Sequence, residues 1–68
     1  MAMAYAIVNN DYVEAIVLVG EKRAEALKEE LAHKEYLKTK QAAPQLFTTE
    51  KEYRAYRYWR VVTIPIME

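Results

Sequence analysis

Glu21 to Lys40 (EKRAEALKEELAHKEYLKTK) is an unbroken run of strong helix formers, with acidic residues early and Lys38 and Lys40 late to match the helix macrodipole. In a chain of 68 residues, this one helix leaves a short flank on each side to supply whatever it packs on. Gly20 closes the segment before it, and Pro44 ends any continuation after it. Ala24, Leu27, Leu31 and Leu37 fall within one arc, while Glu25, Glu29, Glu30, Lys34 and Lys38 take the solvated side. So narrow a stripe predicts a helix that covers one sheet face and little else.

The flanks read as strands. Met3–Val8 (MAYAIV) and Tyr12–Val19 (YVEAIVLV) are β-branched and aromatic runs separated by Asn9-Asn10-Asp11, residues that tolerate the positive φ a tight hairpin needs. Regular alternation then puts the small residues Ala4, Ala6, Val8, Val13, Ala15, Val17 and Val19 on one face. Met3, Tyr5, Ile7, Tyr12, Glu14, Ile16 and Leu18 fall on the other. Gln41 to Thr48 is a connector. Thr49 with Glu52 has the form of a capping box and predicts a short second helix over about Glu50 to Tyr56, with an extension of the last strand as the alternative. From Arg57 the sequence YWRVVTIPI gives a third strand to about Ile66, with Pro65 tolerable only at a strand end or a sheet edge.

These elements define an α+β fold in the order β-β-α-β. A right-handed crossover from the second strand places the third beside the first, in the spatial order 3-1-2. Small side chains let a helix approach closely, so the long helix is expected over Ala4, Ala6, Val13, Ala15 and Val17, with Leu27 and Leu31 as anchors. The aliphatic-rich set Tyr58, Arg60, Val62, Ile64 and Ile66 of the third strand is expected to face it too. That leaves Tyr5, Ile7, Tyr12, Ile16, Leu18, Trp59 and Val61 on an uncovered apolar face. Such a face marks a partner, and a domain below about 70 residues with neither disulfide nor metal commonly draws stability from oligomerisation. The expectation is a homodimer or a larger homo-oligomer.

Composition sets the outer bounds. Ten Lys and Arg against ten Asp and Glu, 53% apolar residues, one Gly and two Pro describe a folded chain forming a single domain over residues 1–68. The absence of cysteine removes disulfides, thiolate metal sites and a cysteine nucleophile, and makes a reducing, cytoplasmic setting the default. The apolar runs, Met1 to Val8 and Ala15 to Val19, are far below the roughly 20 residues that span a bilayer, so no membrane is expected. The chain has no serine, no Gly-rich phosphate loop and one histidine, His33, in the middle of the helix. Glu29 and His33 at i,i+4 are two ligands, which do not make a metal site. The reading is non-enzymatic, without cofactor or metal.

One local feature stands out. Tyr53-Arg54-Ala55-Tyr56-Arg57-Tyr58-Trp59-Arg60 interleaves four aromatics with three arginines and contains no acid. Tyr, Trp and Arg are enriched at protein–protein hot spots, which makes Tyr5, Tyr12, Arg54, Arg57, Trp59 and Arg60 candidate partner contacts. The alternative is single-stranded nucleic-acid binding, in which the rings stack bases and the arginines hold phosphates. Zero net charge weighs against that, because such footprints are usually strongly basic.

In size and element order, with its YAIVNNDYVEAIVLVG opening, acidic-basic helix and YWRVVTIPI closing strand, the chain resembles small uncharacterised proteins of bacteriophages and prophages. The resemblance implies an accessory protein of the host cytoplasm that binds and modulates a host protein, such as defence or transcription machinery. It transfers no site residues.

Overall fold

A computed structural model of the chain describes residues 2–18 and 20–66; Val19, expected at the end of the second strand, lies outside the described residues. The elements are β1 (Ala2–Asn9), β2 (Tyr12–Val17), α1 (Glu21–Ala42), α2 (Glu50–Tyr56) and β3 (Trp59–Ile66). They form an α+β fold with a three-stranded antiparallel sheet in the order β2-β1-β3, the expected order written from the other edge. Asn9 pairs with Tyr12 across the two-residue loop Asn10-Asp11, and Asn10 carries the positive φ, 54°. Pro65 lies in an edge strand.

Two expectations about the faces are corrected. The first concerns the hairpin register: Val8 pairs with Val13 but Ile7 with Ala15, so Glu14 is an extra residue in a β-bulge. Past the bulge the alternation of β2 inverts. Ala15 and Val17 join the face of Ile7 and Tyr5, while Ile16 joins that of Ala6.

The second correction concerns the side covered by α1. The core contains Ile7, Val17 and Trp59 from the sheet, Ala24, Ala32 and Tyr36 from α1, and Tyr53 from α2. Tyr5, Val61, Leu27, Leu31 and Phe47 pack against it. The helices therefore cover the large-residue face, and not the alanine-lined one. Burial stabilises by about 25 cal/mol per Å² of apolar surface, and Tyr5, Ile7 and Trp59 offer far more of it than Ala4 and Ala6. Leu27 and Leu31 serve as the anchors expected of them, whereas Leu37 is exposed and Tyr36 holds the inward position instead.

Local chemistry sets the element ends. Ala43, before Pro44, leaves the helical region (φ −142°, ψ 78°) and stops α1. Thr49 Oγ1 accepts the Glu52 N–H at 3.2 Å and caps α2. Glu52 turns its carboxylate to the Thr48 hydroxyl (2.6 Å), so among the described residues only the Thr49 half of a capping box forms.

The result is a thin two-layer slab. The described residues span 48 × 19 × 16 Å with a radius of gyration of 13.6 Å, against about 11 Å for a compact chain of this length. Only one large side chain, Ile7, is fully buried among them.

Candidate interaction surface

Sequence adjacency in the aromatic and arginine run does not translate into one surface. Trp59, only 5% exposed, lies beneath the helices, and its indole N–H donates to the Tyr53 hydroxyl at 3.3 Å. Tyr5 is half-buried against the same core. The uncovered face is therefore not the one carrying Tyr5 and Trp59, and these two are packing residues. Tyr53 sits among Tyr36 and Phe47, with ring centroids 5.9 and 5.6 Å away, and burial pushes its hydroxyl pKa up.

Arg54 works between the helices. It bonds Glu29 of α1 and lies 3.7 Å from Glu50, which in turn meets His33 Nδ1. The Arg54 hydrogen bond holds the Glu29 carboxyl below its usual range. Glu29 and His33 thus go to different partners, and among the described residues no group of three or more His, Cys, Asp or Glu is placed to hold a metal ion. This clasp joins α1 to α2.

The rest of the run is on the outside. Arg57 stacks over the Tyr56 ring at 5.3 Å and Arg60 over the Tyr58 ring at 5.4 Å. Arg60 also donates to the Asn10 carbonyl at 2.8 Å. Tyr12, Tyr56 and Tyr58 are exposed. Among the described residues neither Arg57 nor Arg60 pairs with a carboxylate. Two arginine–tyrosine stacks, Arg57 on Tyr56 and Arg60 on Tyr58, thus flank the start of β3, with Tyr12 on the far edge strand at the same end of the sheet.

The larger feature is the sheet face turned away from the helices. Register places Ala4, Ala6 and Val8 along its middle, with Val13 and Ile16 on the β2 side and Arg60, Val62 and Ile64 on the β3 side. The central residues are buried beneath their neighbours, while Val13, Ile16, Val62 and Ile64 are 61%, 60%, 38% and 40% exposed. The face is a shallow apolar trough with one charge, Arg60, at its hairpin end. The sequence reading leaves Ile16 uncovered, as found, but puts Val13, Val62 and Ile64 under the helix, where they do not lie. The bulk of Tyr5, Ile7 and Trp59 was the signal that pointed the other way.

A groove of about 420 Å³ runs between Glu14 and the outer side of α1, lined by Leu31, Lys34, Leu37, Lys38 and Gln41. Glu35 lines it as well, 3.9 Å from the Lys38 ammonium. No described helix is long and apolar enough to cross a membrane. Comparison with family models, curated proteins and solved structures returns no match.

Proposed function

We propose that the protein is a non-enzymatic binding module that self-associates and uses its open sheet face to bury protein. The observation that carries this reading is the row of Val13, Ile16, Val62 and Ile64 on one uncovered apolar face of a slab with little interior of its own. Ile16→Asp puts a charge in that face without touching the helix side. It should lower the assembly mass seen in sedimentation while the far-UV circular dichroism stays that of the parent. An unchanged mass would remove the face from the account. The resemblance to phage accessory proteins extends the proposal to binding and modulating a host protein in the host cytoplasm.

A second reading has its own observation. The exposed Tyr56 and Tyr58, stacked by Arg57 and Arg60 that pair with no carboxylate among the described residues, offer rings for bases and charges for phosphates. Titration of a labelled single-stranded oligonucleotide by anisotropy tests it. Saturable binding that weakens steeply with salt and is lost in Arg57→Glu favours nucleic acid; no binding at low salt rejects it.

A further inference from the structure

We infer that β3 is a self-pairing edge, along which two copies of this chain join antiparallel to make one six-stranded sheet. The inference rests on the self-association proposed above and names its joint. It begins with the main-chain groups of β3 that have no partner. The Asn10 N–H donates to the Tyr58 carbonyl at 2.8 Å, on the same antiparallel register that pairs Asn9 with Trp59. In an antiparallel ladder the bonded pairs alternate, so Arg60, Val62, Ile64 and Ile66 bond β1. Trp59, Val61, Thr63 and Pro65 then point their main-chain groups outward. Pro65 falls in the outward set, where its missing N–H costs the ladder nothing.

The two edges of the sheet are not equivalent. β2 is six residues long, broken by the bulge, and carries the exposed Glu14. Bulges and charges are the usual protection of an edge against pairing. β3 runs eight residues in unbroken register and has no charged side chain from Val61 to Ile66. Thr63, Ile64 and Pro65 are exposed. Among the described residues no backbone hydrogen bond outside the ladder uses the N–H or C=O of Val61 or Thr63.

A second copy fits this edge without a mismatch. Centring the joint on Val62 sets Val61 opposite Thr63 of the second copy, and Thr63 opposite its Val61. Trp59 falls opposite Pro65 of the second copy, where the proline carbonyl still accepts. Each outward N–H from Trp59 to Thr63 finds an acceptor, and the two missing donors lie at the ends of the joint. No like charges face each other. The two-fold axis stands perpendicular to the sheet, so both helix layers lie on one side and both troughs on the other.

Area explains why the joint matters. Three strands about 4.8 Å apart and about 26 Å long present a face of roughly 380 Å². A stable interface takes about 800 Å² from each partner. One trough alone is too small, whereas two joined along β3 make a continuous face of roughly 760 Å², apolar but for the two Arg60 side chains beside the joint.

The test is sedimentation equilibrium of the wild type, Thr63→Pro and Ile16→Asp from low to high micromolar, each with circular dichroism as a check on folding. Thr63→Pro removes an outward donor and leaves the ladder to β1 alone. Thr63→Lys, a charge at an exposed edge position, is the second variant should the proline variant unfold. The wild type should exceed dimer mass, and Ile16→Asp should fall to dimer and no lower. The Thr63 variants should raise the dimer dissociation constant at least about tenfold, equivalent to roughly 1.4 kcal/mol for two lost hydrogen bonds. If the Thr63 variants keep the wild-type mass while Ile16→Asp becomes monomeric, stacked faces are the joint; the edge inference then fails and the binding-face reading stands. A monomeric wild type at every concentration overturns both.

Discussion

Among the described residues the indole N–H of Trp59 has one acceptor, the Tyr53 hydroxyl, and both groups are buried. Tyr53→Phe keeps the ring packing and leaves a buried donor unpaired, which costs about 1–3 kcal/mol. Urea denaturation followed by Trp59 fluorescence should show that loss, with the helical signal of the folded state unchanged. A loss of a few tenths would mean that the bond is not formed. The same residue sets an alkaline limit. Burial raises the Tyr53 pKa above its unfolded value near 10, so its contribution to stability is whole below that value. It is lost as pH rises through the folded pKa, and Tyr53→Phe should flatten this alkaline decline. Trp59 shows how far a single residue could be read in sequence. Its value as an anchor was visible, but whether it anchors a partner or the chain's own helices depended on which face the helices cover.

At the scale of elements, α1, α2 and all three strands were legible because each has its own local chemistry: helix formers, Pro44, the Thr49 cap, the Asn10 turn and β-branched runs. What relates the elements was less so. The bulge at Glu14 follows from how β2 fits across β1, and no residue in YVEAIV announces it. A single extra residue there moves Ala15 and Val17 to the helix side. The α1–α2 clasp was equally hidden, because Glu29 and Arg54 are 25 positions apart. Arg54→Met tests it. Arg54 holds the Glu29 pKa below its unfolded value, so the clasp contributes above the ordinary carboxylate range and fades as pH falls through the folded pKa. The variant should lose about 0.2–1 kcal/mol at neutral pH, as exposed ion pairs do, and nothing once Glu29 is protonated in both states. Equal losses at neutral and acidic pH would assign Arg54 to packing by its stem.

As a whole, the molecule is a slab with helices on one side and an apolar trough on the other, and its one undefended strand edge borders that trough. Uncovered apolar surface was expected from the sequence, and Ile16 was placed in it. Ala15 and Val17 lie on the helix side as expected, but Tyr5, Ile7, Trp59 and Val61 went under the helices too and left Ala4, Ala6, Val13 and the β3 aliphatics on the open face. The central claim is that protein covers this trough. A chain without cysteine allows a direct measurement: an environment-sensitive dye on Val13→Cys, inside the trough, compared with the same dye on Leu37→Cys, exposed on α1. From low to high micromolar protein, the Val13 probe should shift to the blue as the trough is buried, while the Leu37 probe stays constant. A Val13 probe that reports water at every concentration would contradict the account.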